Sequence, residues 1–362
     1  MVRTLPARRL ARLPACAIAT AVALAALVAA CGTSASPSPA TPPPGGSGTP
    51  TSPTPAAATK LVVGLGYIPS VQFAQFYYAD QAGYYRDAGL EIEFQNKADP
   101  DLVTLIGRGA VDLGLADGTS VIPAVSQGIP IRYGFTVYAD FPSIVFAKES
   151  SGIRTAADLK GKKIGYPGQF GSSWIQLQAL LASAGLTTDD VVLVPYPKYG
   201  QATALQQDVV DAATGFANNE PIQLERAGIP TVVLALPPSM PLPGNGIIVG
   251  TETLAAKGDA LRAFVAATAR AMDEIAADPE LGLEAAIARV PELATDRETQ
   301  AAILAATIDQ WQNDYTKANG TGAIDPAAWQ ASIDFMRSLP DSPVARPVTV
   351  EECITDELLP AR

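Results

Sequence analysis

The order strand, helix, strand, helix, strand occurs twice in this chain, about a hundred residues apart, and that repeat leaves few folds open. The first unit runs KLVVGLGYIP (60–69), the helix-like FAQFYYADQAGYYRDAGL, LEIEFQ (90–95), DPDLVTLIGRG (99–109) and VDLGLADG (111–118). The second runs KKIGYPG (162–168), WIQLQALLASAG (174–185), VVLVPY (191–196), QATALQQD (201–208) and VDAATGFANN (210–219). Alternating strands and helices build mostly parallel sheets with helices on both faces. Ligands of such sheets sit beyond the carboxyl ends of the strands. The expectation is an α/β chain of two lobes with a ligand cleft between them. Leu177, Leu180, Leu181 and Ala184 share one helix face and are assigned to packing.

The lobes are expected at 60–147 with 245–362, and at 148–244. One crossing is placed near IVFAKESSGI (144–153), the other in the proline-rich LALPPSMPLPGNGIIVG (234–250), whose last residues read as a strand returning to the first lobe. From Thr253 the pattern is helical, with two or three further helices through Arg337. The block from Pro340 onward has no pattern that places it.

Residues 1–15 carry Arg3, Arg8, Arg9 and Arg12 and no acid, and an apolar run follows from Cys16 to Ala30. Residues 1–30 read as a signal peptide. LVAAC is similar to the lipobox of bacterial lipoproteins, which implies cleavage before Cys31 and lipid on that residue. Residues 31–59 then form a tether of proline, serine and glycine without charge or bulk, unable to order a core. The net charge of −11 becomes −15 without the four arginines, which argues against nucleic acid as a partner. There is no histidine, so Ser-His-Asp and Cys-His catalysis and His-ligated zinc are excluded. Cys353 would be the one thiol without a partner, so no disulfide framework is expected.

The runs GYIPSVQFAQFYYADQAGYYRDAGLEIEF, DLKGKKIGYPGQFGSSWIQLQALLASAGL and GFANNEPIQLERAGIP resemble a fold shared by solute-binding proteins of ABC importers and by fungal enzymes that make the thiamine pyrimidine. The resemblance covers roughly 60–250. It implies a two-lobed, periplasmic-binding-protein (type II) fold that closes on a small molecule and delivers it to a permease with its ATPase. The fungal enzymes of this fold use an active-site histidine and a cysteine-rich loop. This chain has no histidine, and GQFGSS contains no cysteine, so binding rather than catalysis is expected.

Four junctions should face the cleft. In GYPGQFGSSW, Gly168 and Gly171 permit close approach, and Ser172 or Ser173 can cap the following helix. The remaining N–H groups there favour a carbonyl or an anion, and Phe170 and Trp174 flank them, unless Trp174 is core. In the first lobe, Tyr67, Gln72 and Phe73 stand at the matching junction, where Tyr67 can stack on a flat ring; Phe73 could equally be core. Asp117 and Glu220 end the third strands, beside Asn218 and Asn219, and either acid can accept from a ring N–H. Asp117 could instead cap its own helix, and Glu220 could be a surface acid. Phe141 lies near the first crossing. Tyr77, Tyr78, Tyr84 and Tyr85 are assigned to helix surface and core.

These loops hold no lysine or arginine, which an oxyanion binder would want. A flat, largely uncharged N-heterocycle is therefore expected, either riboflavin or a thiamine pyrimidine precursor, with no cofactor and no metal. A sulfonate or nitrate binder, or a sensory lipoprotein, are the alternatives. The expected protein is a monomer outside the cytoplasm, held to the membrane by its lipid.

Overall fold

The computed structural model describes residues 58–360, apart from 98, 238, 239 and 241. The expected signal peptide, Cys31 and nearly all of the expected tether lie outside the described residues. Among the described residues, ten strands form two sheets of five. In the first, β1 (Thr59–Leu65), β2 (Leu90–Asn96), β3 (Leu113–Asp117), β4 (Ile131–Thr136) and β10 (Asn245–Gly250) run in the order β2-β1-β3-β10-β4. In the second, β5 (Ser143–Lys148), β6 (Lys163–Tyr166), β7 (Val192–Pro195), β8 (Ala212–Phe216) and β9 (Thr231–Leu234) run β7-β6-β8-β5-β9. The first three strands of each unit pair in parallel. The fourth position of each sheet is filled by an antiparallel strand that has just crossed from the other lobe, β10 in one and β5 in the other.

The repeat reaches to single residues. Each third strand is preceded by Val-Asp. Asp112 donates its N–H to Val62 O at 2.9 Å and accepts the Val62 N–H on its carboxylate at 2.8 Å. Asp211 does the same with Lys163, at 2.9 and 2.8 Å. One acid thus closes the amino edge of the first and third strands in both lobes.

Helix 171–183 lays Leu177, Leu180 and Leu181 against Val145, Ile164 and Ala212 of the second sheet. Ala184, expected on that face, ends the helix and is only half-buried. The other side of this helix, Ile175 and Ala179, packs with Val121, Ile122 and Val125 of helix 118–126 in the first lobe. Tyr77 and Tyr85 are buried, while Tyr78 and Tyr84 are half-buried and share Glu274 as acceptor.

One boundary differs from expectation. β5 belongs to the second sheet, so the chain crosses at 137–142 rather than near 144–153. An apolar IVFA run looks alike in either sheet; its ladders with β8 and β9 decide. Among the described residues the tail carries four helices between 251–277 and Pro340, at 279–289, 297–310, 314–319 and 326–338, where two or three were expected, and a fifth at 350–353. The block after Pro340, which no pattern placed, lies along β4. Ile354 bridges Tyr133, Thr355 donates to Tyr133 O at 2.9 Å, and Leu358 fills the space over Gly134. Cys353 is fully buried in the adjacent apolar cluster, which pushes its thiol up to about 12. No helix among the described residues is long and apolar enough to cross a membrane.

Candidate functional site

The carboxyl ends of both sheets converge on one cavity of about 720 Å³, counted out to its open mouth. Six aromatic side chains line it: Tyr67, Phe73 and Tyr138 from the first lobe and its crossing, Phe170, Tyr199 and Phe216 from the second. Tyr67 and Tyr199 meet edge to face across the cleft, with centroids 4.6 Å apart. The polar lining is Gln72, Asp117, Ser172, Ser173, Gln201, Asn219, Glu220 and Asn245, and no lysine or arginine is among the described lining residues.

Asp117 ends β3 and occupies the N-cap position of helix 118–126, yet its side chain makes no cap bond there. One carboxylate oxygen instead accepts the Ser172 N–H of the other lobe at 2.8 Å, and the other accepts from Asn245 Nδ2 at 2.7 Å. Burial raises its pKa, against those two bonds. Helix 171–183 begins at Gly171, whose φ of 63° lies in the left-handed region that suits glycine. Its N-cap residue is Phe170, which offers no side-chain acceptor. The expectation that Ser172 or Ser173 caps this helix is therefore corrected: both lie inside the first turn, and the cap acceptor comes from the opposite lobe.

Glu220 opens helix 220–226 and turns back to accept the Phe216 N–H at 2.8 Å. It is buried, which pushes its carboxyl up to about 7. It does not repeat the place of Asp117: three residues separate it from the end of β8, whereas Asp117 is the last residue of β3. Burial and the nearby Glu220 carboxylate raise the Tyr67 phenol's pKa, against a hydrogen bond with Asn219.

Of the residues expected at the cleft, Tyr67, Gln72, Phe73, Asp117, Phe170, Ser172, Ser173, Asn219 and Glu220 line the cavity. Five do not. Trp174 packs on Tyr166, centroids 5.8 Å apart, within the apolar contact between lobes. Phe141 packs against the cluster that holds Leu242 and Trp329. Gly168 and Gly171 shape the loop from behind; a Cβ on Gly168 would sit 2.4 Å from the Phe170 ring. Asn218 is buried behind the cavity, where its Nδ2 donates to Gln72 Oε1 at 3.1 Å and Thr307 Oγ1 at 2.9 Å, joining the lobes. Sequence reasoning missed Tyr138, Tyr199, Gln201, Phe216 and Asn245. Phe216 ends a strand at the carboxyl edge, a signal that could have found it. Tyr199 holds a φ of 56°, unusual for tyrosine, in a loop that reads as ordinary YPKYGQ.

Among known proteins, the chain is 32% identical over 305 residues to riboflavin-binding protein RibY of Chloroflexus aurantiacus, covering 83% of this chain and 86% of that protein. It is 31% identical over 159 residues to the 4-amino-5-hydroxymethyl-2-methylpyrimidine phosphate synthase of Legionella pneumophila, 44% of this chain and 49% of that one. The periplasmic aliphatic sulphonate binding protein SsuA of Escherichia coli matches its structure with a TM-score of 0.60 at 20% identity, over 83% of this chain and 98% of that one. That likeness is one of fold: the chain has the two-lobed α/β architecture of periplasmic binding proteins. The family model described as NMT1/THI5 like matches residues 70–281, more than half of the sequence, and the chain belongs to that family.

Proposed function

We propose that this chain is the extracytoplasmic solute-binding protein of an ABC importer and that its ligand is riboflavin. One observation carries this: six aromatic rings from both lobes and two carboxylates, Glu220 buried and Asp117 half-buried, line one cavity with no lysine or arginine among its described lining residues. Such a lining suits a flat, uncharged heterocycle whose faces stack and whose N–H and carbonyl edge meets polar groups. The identity with RibY over most of both chains supports the same ligand. The lipobox-like LVAAC and the tether fit a body held at a membrane beside its permease. The protein binds and does not catalyse: the chain has no histidine, and its one described cysteine is buried away from the cavity.

The test is a titration of the purified chain with riboflavin, read by flavin fluorescence and thermal unfolding. Quenching at micromolar protein is expected. Ligand at a hundred times Kd should add about 2.7 kcal/mol of stability. The match to the pyrimidine phosphate synthase supports a second ligand, the thiamine pyrimidine. Stabilisation by a hydroxymethylpyrimidine with no response to riboflavin would move the assignment there, and stabilisation by an alkanesulfonate would overturn both.

A further inference from the structure

Helix 171–183 points its first N–H groups toward the cavity, and such an end attracts anions. Its place is already taken: the Asp117 carboxylate of the opposite lobe accepts the Ser172 N–H at 2.8 Å. A second observation concerns the free polar atoms of the lining. Asn245 donates its Nδ2 to Asp117 at 2.7 Å, and Gln201 donates its Nε2 to Thr214 O at 3.2 Å. Those partners fix both amides and leave Asn245 Oδ1 and Gln201 Oε1 buried without a hydrogen bond. Both are acceptors. These amide oxygens want N–H or O–H donors, the Ser172 hydroxyl, also buried without a partner, can donate or accept, and the Asp117 carboxylate repels negative charge.

We propose that Asp117 is the residue that excludes anionic ligands from this cleft, standing as an internal anion where a ligand's phosphate or sulfonate would dock. This rests on the cavity's being the ligand site, as proposed above, and deepens it. The preferred ligand is a neutral molecule rich in ring N–H and hydroxyl donors, and its phosphate ester is rejected. A phosphate placed near the helix end would face the half-buried Asp117 carboxylate at close range, a like-charge contact that costs at least tenfold in affinity (about 1.4 kcal/mol).

The test compares the wild-type chain with Asp117→Asn and Asp117→Ser. Asparagine keeps the shape and an acceptor for Ser172 but removes the charge; serine also vacates the space. Riboflavin, riboflavin 5′-phosphate and inorganic phosphate alone are titrated by calorimetry, with thermal melts to confirm folding. The wild type is expected to prefer riboflavin to its phosphate ester by about tenfold or more and to show no saturable heat with phosphate. In both variants that preference should shrink by about tenfold, and Asp117→Ser should gain saturable phosphate binding. Equal affinity of the wild type for riboflavin and its ester, or unchanged preference in folded variants that still ignore phosphate, would overturn the role of Asp117. Failure of riboflavin to bind any form would overturn the ligand assignment alone, because the phosphate arm needs no flavin.

Discussion

Glu220 and Asp117 show how little a residue's type says about its role. Both are acids at a strand-to-helix junction, Glu220 buried and Asp117 half-buried. One turns back on its own loop, the other reaches the opposite lobe. Glu220 carries a testable consequence. Its carboxyl titrates near 4.5 when unfolded and is pushed up to about 7 by burial. The folded protein therefore keeps a proton that the unfolded chain has released. The stability this contributes is full below about 4.5 and is lost as pH rises to about 7, on the order of 3 kcal/mol. Glu220→Gln cannot titrate. Denaturant unfolding across pH should show the wild type losing stability relative to the variant between those two values. A difference that is flat with pH would show that Glu220 ionises as freely in the fold as out of it. The aromatic residues carry a related lesson. Trp174 looked like a stacking platform because it follows a glycine-rich loop, but one helical turn aims it at the neighbouring lobe's apolar face. Tyr199 gave no such signal, because its position depends on a left-handed backbone angle.

At the scale of elements, the repeat was legible because helix and strand periods differ and the order recurs. All six expected strands of the two units formed, as did the helix at 171–183 and the returning strand at 245–250. The first crossing was not legible at its true place, since sheet membership of an apolar strand is decided by ladders formed far along the chain. The tail along β4 was also hidden: it is held by one backbone bridge at Ile354 and by single apolar side chains, Cys353 and Leu358, without periodicity. The paired Val-Asp closures predict unequal costs. Asp112 also holds Lys257 Nζ at 2.7 Å, and its side chain is largely shielded, whereas Asp211 is bonded at an exposed edge. Asp112→Ala should cost about 1–3 kcal/mol, and Asp211→Ala about 1 kcal/mol or less, by urea unfolding. Equal losses would mean that the Lys257 contact adds nothing.

For the molecule as a whole, the two lobes meet through polar bonds as well as apolar packing. Asn218 ties the second lobe to Gln72 and Thr307, and Asp117 ties the first lobe to Ser172. Asn218→Ala leaves Gln72 Oε1 and Thr307 Oγ1 without that donor in a buried place. It should destabilise the chain by about 1–3 kcal/mol in urea unfolding. An unchanged midpoint would mean that the lobes are held together by their apolar faces. The central claim is that rings from both lobes grip one flat guest. Calorimetric titration of riboflavin into the wild type, Tyr67→Ala and Phe216→Ala tests it most directly, since the two residues lie on opposite lobes. Each truncation is expected to weaken binding by about three- to tenfold while the chain still melts cooperatively. Riboflavin binding that is unchanged in both variants would place the guest outside this cavity.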